Sequence, residues 1–539
     1  MDSQIEKGKF SLLPWRRKGF SPEVGTLSTS DKWKMGAAIF AAKMIGLFII
    51  LFAMNSLPGI IGSASAAETY TAHETSLINS VNTAWTLLAA FLVFGMQAGF
   101  VMLEAGFARK TETVNVLMEC IFDTCLCGLA FWAIGYAFMF SEGNGFIGLH
   151  WFFLSGTPAT YGATGIPILA HWIFQFAFAD TTSTIVSGAM IGRTSFRGDV
   201  LYSIGVTGFL YPIIGHWAWG PDGFLALMGT EGHFLPWLGT GFRDFAGSTV
   251  VHTIGGIASL AGGIVLGPRI GRVFARDNKL EGGMPPPHNL TLAAVGGFIL
   301  WFGWYGFNPG STLSAMDAAG IGRVAANTTL AACSGGMAAM FAALWFGSTK
   351  GKFDLGFTLN GFLAGLVAIT APCYWVTPGA SLLIGMFAGV LVYIGINLIE
   401  WFRVDDPVGA VAVHGINGIW GTLCIGLFAS GEFGATGPLG ADNSAPVAGL
   451  FYGGGFQVLE AQIIGSFIIT SATFIAAYAL MFAISKLPHP WALRVPAEAE
   501  LSPGGLDMYE HGTSAYPDQD SAIDELLLVK HKGGSSVTV

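Results

Sequence analysis

Two histidines inside apolar segments, His252 and His414, are the residues of this chain best suited to chemistry. Each imidazole has two ring nitrogens, so two neutral rings can share one hydrogen and still bind a small polar molecule. An ionisable side chain inside a membrane-spanning segment normally faces the interior of the helix bundle or a pore. Removal from water favours the uncharged form of both rings. We therefore predict a pair of neutral pore histidines.

The sequence around the two histidines is repeated. Asp244-Phe-Ala-Gly-Ser-Thr-Val-Val-His252 and Asp406-Pro-Val-Gly-Ala-Val-Ala-Val-His414 share Asp, Gly and Val at the same distances before the histidine, and Ile follows two residues later in both. The segments lie five predicted spans apart, an odd number, so they run in opposite directions. The pattern predicts two inverted five-helix halves whose interface near the midplane holds the transported species. A chance match in segments this rich in Gly and Val is the alternative.

Two other interpretations of the histidines stay open at this point. Each ring could be a separate core histidine bonded to backbone carbonyls, which is the ordinary arrangement for a single buried histidine. The pair could also ligate a metal or a haem, but no further Cys/His cluster in the sequence supports this. We therefore expect no metal, no cofactor and no catalytic residue, and a protein that is not an enzyme.

Aromatic residues accompany the histidines. Phe174 and Phe178 are four residues apart and share one helix face. Trp219 and Ser311 stand at the predicted outer ends of their spans, where an indole face attracts a small cation and a hydroxyl accepts its hydrogen. Deeper rings such as Phe178 and Phe307 could close a pore to water and ions. The alternative is the interfacial aromatic belt of most membrane proteins.

The composition sets the class of protein that must position these residues. Of 539 residues, 52 % are hydrophobic and only 11 % are charged, against about 25 % charged in a soluble domain. The apolar residues form runs of the length, about 20 residues, that a bilayer requires. We predict an all-α polytopic membrane protein in a lipid bilayer. Soluble enzymes, nucleic-acid binders and secreted disulfide scaffolds are excluded.

Eleven membrane spans are predicted, five in each half and a final helix. They lie near residues 82–107, 114–140, 168–192, 199–219, 247–268, 289–309, 322–347, 357–375, 379–401, 408–429 and 456–485. Twelve of the fourteen Lys and Arg residues between 67 and 486 fall in loops that this count places on one side, and only Arg243 and Arg323 fall on the other. Because cytoplasmic loops are enriched in Lys and Arg, the N-terminus is predicted outside and the C-terminus in the cytoplasm.

The two ends of the chain differ from the spans. Residues 1–66 combine a basic region, an apolar stretch and Ala64-Ser-Ala66, which is typical of a leader and signal peptide. An uncleaved first helix is the alternative. Residues 67–486 are then the transmembrane domain, and the polar residues 487–539 form a cytoplasmic C-terminal tail.

Several long motifs resemble ammonium transporters of the Amt/Mep/Rh family, and the Trp at position 219 resembles the Amt branch. The resemblance covers about residues 80–485, with a further echo at residues 505–516. The motifs are Gln97-Ala-Gly-Phe-Val-Met-Leu-Glu104-Ala-Gly106-Phe-Ala-Arg109-Lys110, the run ending at His252, Trp304-Tyr-Gly-Phe307-Asn-Pro-Gly-Ser311, and Asp405-Asp-Pro-Val-Gly-Ala-Val-Ala-Val-His414-Gly. The leader before residue 67 is longer and more basic than the family pattern, and the tail after Tyr516 has no counterpart in it.

The resemblance implies roles for nine residues of a pore and its outer mouth. These are the ammonium-binding Trp219, Phe174 and Ser311 with Trp304 nearby, the phenyl gate Phe178 and Phe307, the pore histidines His252 and His414, and the structural support Asp244. The family resemblance also implies a homotrimer with one pore per subunit in the plasma membrane, and a tail that a PII-type regulatory protein can contact.

The expected function is ammonium transport by recruitment of NH4+, its deprotonation and conduction of NH3 past the histidines. The resemblance favours net charge movement, with the proton relayed. Two other functions are weighed against this one. A sensor would use ammonium binding to alter the tail for a signalling partner, and a neutral-gas channel would need no cation-binding aromatic at its mouth.

Overall fold

The computed structural model describes residues 70–347, 351–440 and 444–516. The predicted leader and signal peptide, residues 1–66, and the tail after residue 516 lie outside the described residues. Within the described ranges the regular secondary structure is almost entirely helical, with long loops between several helices. Its extended elements are two antiparallel hairpins between the second and third long helices, which are β1 (Gly143–Asn144) with β2 (Ile147–Gly148), and β3 (Thr160–Tyr161) with β4 (Ile166–Pro167).

Eleven helices in the described ranges coincide with the eleven predicted segments. They are α1 (Ala72–Phe107), α2 (Lys110–Phe140), α3 (Ile168–Gly188), α4 (Phe196–Gly205, Val206–Leu210 and Tyr211–Trp219), α5 (Ser248–Leu266), α6 (Leu290–Thr312), α7 (Ala318–Phe346), α8 (Leu355–Thr370), α9 (Pro378–Trp401), α10 (Val411–Phe428) and α11 (Gln457–Ser485). Eight of them, all but α3, α4 and α8, are long and apolar enough to cross a membrane. The all-helical membrane fold is confirmed, whereas the number of crossings stays a prediction.

Polar side chains cap the starts of many helices. In a bilayer the first N–H groups of a helix have no water to bind, so they need a partner from the protein. Side-chain oxygens supply it at α1, α4, α6, α7, α8 and α9, from Thr71, Ser195, Asn289, Asp317, Asp354 and Thr377. These residue types precede apolar runs in the sequence, which is why the helix starts are readable there.

The starts of α5 and α10 have the same local structure. The Asp244 carboxylate accepts four backbone N–H bonds of 2.8–3.0 Å from residues 247–250. The Asp406 carboxylate accepts three of 2.9–3.0 Å from residues 409–411. Gly247 has φ 112° and Gly409 has φ 81°, a conformation that other residues adopt only with strain. The repeated Asp and Gly therefore build the same turn twice.

Each of these turns leads into a π-helical turn that carries a histidine. His252 lies in Ser248–Thr253 and His414 in Val411–Ile416. π-helical turns are rare and occur frequently at functional sites, because the extra residue changes the direction of the side chains that follow. The repeated motif thus encodes both the helix start and the placement of its imidazole.

Small residues let the long helices approach closely. Helix α1 packs along α6, where a Cβ at Gly99 would lie 2.9 Å from the carbonyl oxygen of Gly296 and a Cβ at Gly106 would lie 2.5 Å from the nitrogen of Ala293. Close backbone contact through small residues is the usual way that helices associate in a membrane. This pairing supports the α6 residues that face the histidines.

The inner ends of the helices, named by the predicted orientation, are joined by charged groups. Arg269 donates to both oxygens of the Asp405 carboxylate at 2.8 and 2.9 Å, and Arg193 donates to the Asp405 carbonyl at 2.7 Å. Burial raises the pKa of Asp405, but the hydrogen bonds and charge of Arg269, with the charge of Arg193, outweigh it and hold the pKa well below its usual range. This ion pair holds α5 close to the start of α10.

The described part of the tail lies along the same inner ends. Its helices α12 (Ala497–Leu501) and α13 (Gly505–His511) are short. Arg494 donates to the carbonyl of Leu266 at 2.7 Å, and the Asp507 carboxylate accepts the backbone N–H of Asn115 at 2.9 Å. The tail up to residue 516 is therefore a docked segment that contacts α2 and α5.

Gly256 tests whether close approach of α5 and α10 holds the fold. A Cβ at Gly256 would lie 2.1 Å from the nitrogen of Gly415, next to His414. We expect Gly256→Ala to destabilise the protein by about 1–3 kcal/mol through overpacking, seen as a lower melting temperature in detergent. The matched control is Gly95→Ala in α1, where nothing lies within 4 Å. Equal melting temperatures for the two variants would contradict this account of the packing.

Candidate functional site

The two predicted pore histidines lie side by side. The Nδ1 atoms of His252 and His414 are 3.2 Å apart, and the ring centroids are 5.2 Å apart. Both side chains are buried, and Nε2 of His252 has no hydrogen-bond partner. Since a neutral ring carries one N–H, one Nδ1 donates to the other. The structure therefore brings the rings together as a pair bonded to each other, in place of two separate core histidines bonded to carbonyls.

Aromatic rings lie against His252 on its outer side, which is the side that the predicted orientation turns toward the outside of the membrane. Trp304 stacks on it with ring centroids 5.2 Å apart, and Phe307 lies at 5.3 Å. The Trp304 indole donates to the Thr370 hydroxyl at 2.9 Å, so its one polar atom is satisfied by protein. The surroundings of His252 on this side offer an ion no charged group. Such a site suits a small uncharged molecule that can hydrogen-bond to an imidazole.

Two stacked phenyl rings separate the histidines from the outer end. Phe178 and Phe307 have centroids 4.1 Å apart with an interplanar angle of 27°, and both are buried. Phe174 lies 4.7 Å from Phe178, one helical turn away on α3. Helices α3 and α6 each contribute one ring of the stacked pair. The contacts therefore run in order from Phe178 to Phe307 to His252.

Above the phenyl rings lies an open cavity of about 470 Å³. Its lining includes four of the predicted residues, Trp219, Phe174, Ser311 and Phe178. The Ser311 hydroxyl donates to the carbonyl of Phe307 at 2.8 Å, so its lone pairs remain available to accept a hydrogen bond. An aromatic face together with an accepting hydroxyl is a combination that suits a small cation with N–H donors.

Trp304 occupies a deeper position than the sequence analysis expected. It was expected near the outer site, but it lies against His252 and is not among the residues that line the cavity. The reason is its position on α6, where it precedes Phe307 by nearly one turn and Ser311 by two. On a helix that runs outward, an earlier residue lies deeper.

Asp244 supports Trp219 of the outer site without lining the cavity. Its carbonyl oxygen accepts the Trp219 indole N–H at 2.7 Å, while its carboxylate caps α5. Burial raises the pKa of Asp244 to about 6, against the lowering effect of the four backbone N–H bonds, so the carboxylate is ionised at pH 7. The side chain is absent from the cavity lining. Its contacts are those of a structural support.

A second residue that positions Trp219 was missed by the sequence analysis. His216 lies three residues earlier on α4, and its ring contacts the carbonyl oxygens of Met139 and Asn144, each at 2.9 Å. These bonds tie the end of α4 to α2 and to the β1–β2 hairpin. The string His216-Trp-Ala-Trp219 places the imidazole close to Trp219 along the helix, which was the available signal. The sequence does not show which groups the imidazole contacts.

A polar cluster in the cavity wall was also missed. His171 contacts the Tyr136 hydroxyl at 2.9 Å and the Gln175 amide at 3.2 Å, and Tyr161 stacks on its ring at 3.7 Å. The spacing of His171 and Gln175, one helical turn, was a readable signal. Tyr136 and Tyr161 come from α2 and β3, and only the fold brings them to α3.

Comparison with known proteins shows the family of this chain. Residues 84–516 match the sequence model of the Ammonium Transporter Family. The chain is similar to ammonium transporter Amt2 of Archaeoglobus fulgidus, with 42 % identity over 84 % of this chain and 92 % of that protein. It is also similar to a putative ammonium transporter of Synechocystis, with 40 % identity over 83 % of this chain and 91 % of that protein.

Solved structures similar to this one are also described as Amt and Mep proteins. A protein described as a sensor Amt protein has 34 % identity and a TM-score of 0.69, over 81 % of this chain and 99 % of that one. Mep2 of Saccharomyces cerevisiae has 25 % identity and a TM-score of 0.70, over 82 % of this chain and 94 % of that one. The match covers most of the described helices and all of the candidate site. The chain therefore belongs to the ammonium transporter family.

Proposed function

We propose that this protein carries ammonium across a membrane by recruiting NH4+ in the outer cavity, deprotonating it near the phenyl rings and conducting NH3 past the histidines. The observation that carries the proposal is the 3.2 Å contact between Nδ1 of His252 and Nδ1 of His414, reached from the cavity through stacked phenyl rings. The names of the relatives support the substrate.

The deprotonation step follows from the energy of dehydration. A charged side chain at the centre of a bilayer costs about 3 kcal/mol on the insertion scale. Attraction by an aromatic face such as that of Trp219 supplies only about 1–2 kcal/mol. The outer site can therefore collect the cation, but it cannot compensate for moving the charge between Phe178 and Phe307. The species that passes the phenyl rings is the neutral one.

The histidine pair offers a route for the proton left behind. When the Nδ1 donor is His252, a proton taken up at its Nε2 lets the Nδ1 hydrogen pass to Nδ1 of His414, and release of a proton from Nε2 of His414 leaves both rings neutral with donor and acceptor exchanged. Nε2 of His252 has no partner in the protein and is free to bond ammonia or to exchange a proton. Relay of the proton through both rings makes transport electrogenic, whereas return of the proton to the outside makes it neutral.

The finer architecture belongs to the same proposal. We infer eleven crossings, with the outer end at Ser311 and the docked tail in the cytoplasm, and two inverted halves followed by a final helix. Support comes from the distribution of Lys and Arg and from the matching turns at Asp244 and Asp406. A cleaved leader at 1–66, a homotrimer in the plasma membrane and a PII-type partner at the tail rest on the sequence and the family resemblance alone.

A sensor is the second candidate function. It is favoured by the solved structure described as a sensor Amt protein and by the tail docked against α2 and α5. A sensor would bind ammonium in the same outer cavity and pass the signal to the tail. Measured flux through the protein distinguishes the two candidates.

The histidines provide the first test. We expect wild-type protein to restore growth of a transporter-deficient cell on limiting ammonium, and to give an ammonium-evoked current in proteoliposomes. His252→Ala and His414→Ala each remove one ring of the pair and are expected to lower the current by at least about tenfold, the loss typical of removing a proton-transfer group. Ammonia flux without current in the wild type would contradict the proton relay, and no flux at all would favour the sensor.

Trp219 provides the second test. Trp219→Leu keeps an apolar side chain but removes the aromatic face, so the cavity loses about 1–2 kcal/mol of cation binding, or about tenfold in affinity. We expect uptake to fall at low ammonium concentration and to recover at high concentration. The matched control is Trp237→Leu, an exposed tryptophan outside the cavity. Unchanged uptake by Trp219→Leu would favour a neutral-gas channel.

A further inference from the structure

Arg243 and Arg323 lie on the opposite predicted side of the membrane from the other twelve Lys and Arg residues between 67 and 486. Their surroundings in the structure differ. Arg323 donates from Nε to the carbonyl of Tyr374 at 3.0 Å, and its guanidinium lies 3.9 Å from the centre of the Phe433 ring. The Arg323 guanidinium therefore has a hydrogen-bond acceptor and an aromatic ring beside its positive charge. Among the described residues Arg243 has neither a partner for its Nε nor a ring beneath its guanidinium, and it lies next to the candidate ammonium site.

Arg243 lines the outer cavity together with Trp219. Its backbone is fixed, because the Gln462 amide accepts its N–H at 2.9 Å and donates to its carbonyl at 2.6 Å. The buried Nε has no hydrogen-bond partner, and within the described residues no carboxylate pairs with the guanidinium. Burial lowers the pKa of Arg243, but an arginine remains charged at neutral pH.

An unpaired positive charge at this place works against the collection of a cation. The lining contains one acid, Glu142, and two ionisable rings, Tyr161 and His171, and the ring nitrogens of His171 contact the uncharged Tyr136 and Gln175. The formal charges of Arg243 and Glu142 therefore cancel across the lining. The Asp244 carboxylate lies behind the lining and is compensated by four backbone N–H groups at the start of α5, so the lining itself has no net formal charge with which to concentrate cations.

We propose that Arg243 is a specificity-determining residue that cancels the charge of Glu142, so that the outer cavity discriminates ammonium from alkali cations. The inference rests on the proposed transport function. Potassium ions are attracted by negative charge and by an aromatic face as ammonium is, but they have no hydrogen to donate to the Ser311 hydroxyl. With the net charge removed, hydrogen bonding contributes a larger share of binding, and only ammonium makes that bond.

The test is the transport kinetics of Arg243→Gln in proteoliposomes at low ionic strength. The variant leaves the cavity with the negative charge of Glu142 alone. We expect the KM for ammonium to fall by about threefold to tenfold, and potassium to become a competitive inhibitor at concentrations that leave the wild type unaffected. Both effects are expected to shrink at high ionic strength, because salt screens charges that face an open cavity.

Charge variants at the same cavity supply the controls. Arg243→Lys keeps the positive charge and is expected to keep discrimination against potassium. Glu142→Gln leaves a net positive cavity and is expected to raise the KM for ammonium, and the double variant with Arg243→Gln is expected to return the KM toward the wild-type value. Glu142 is exposed, so this variant tests the idea without disturbing the core.

Two failures are distinguishable. If the wild type carries no ammonium, the proposed function is wrong. If the wild type transports ammonium, and both Arg243→Gln and Glu142→Gln leave the KM and the potassium inhibition unchanged at low ionic strength, the role of Arg243 is overturned while the transport function stands.

Discussion

The constraint on which this structure depends is that a charge cannot cheaply enter a dry, apolar passage. The rings of Phe178 and Phe307 stack at 4.1 Å, and the next ring inward is that of His252. The described ring contacts from Phe178 to Phe307 to His252 are aromatic and include no charged group. Two imidazoles bonded to each other are polar groups that this environment tolerates, because their Nδ1 atoms pair without a net charge and leave Nε2 of His252 without a protein partner.

Placing two imidazoles in contact requires two helices to begin and approach in a particular way. Asp244 and Asp406 satisfy the first N–H groups of α5 and α10, which would otherwise be unpaired away from water. A glycine with positive φ turns the chain into each helix, and a π-helical turn directs each histidine inward. The absence of a side chain at Gly256 then allows the two backbones to approach.

The site could be predicted where sequence spacing and local structure coincide. The matched Asp, Gly and His of the two motifs are such a case, and so are Phe174 and Phe178, one turn apart on α3. The order of Trp304, Phe307 and Ser311 along α6 gives their relative depth, but only the fold shows that Trp304 stacks on His252 and does not line the cavity. His171 meets Tyr136 and Tyr161 from other elements, and no periodicity in the sequence joins those three residues.

The sequence by itself determined the class of protein, the position of its helices, the residues able to handle a small cation and the repeated motif that carries the histidines. Helical periodicity and capping residues act over one or two helical turns, and composition needs no spatial information. All three can therefore be interpreted without a tertiary structure. Only the tertiary structure decided that the two rings touch, that Trp304 lies beneath the cavity, and that Arg243 faces it unpaired. Those facts depend on contacts between residues far apart in the chain, and packing of whole helices sets such contacts.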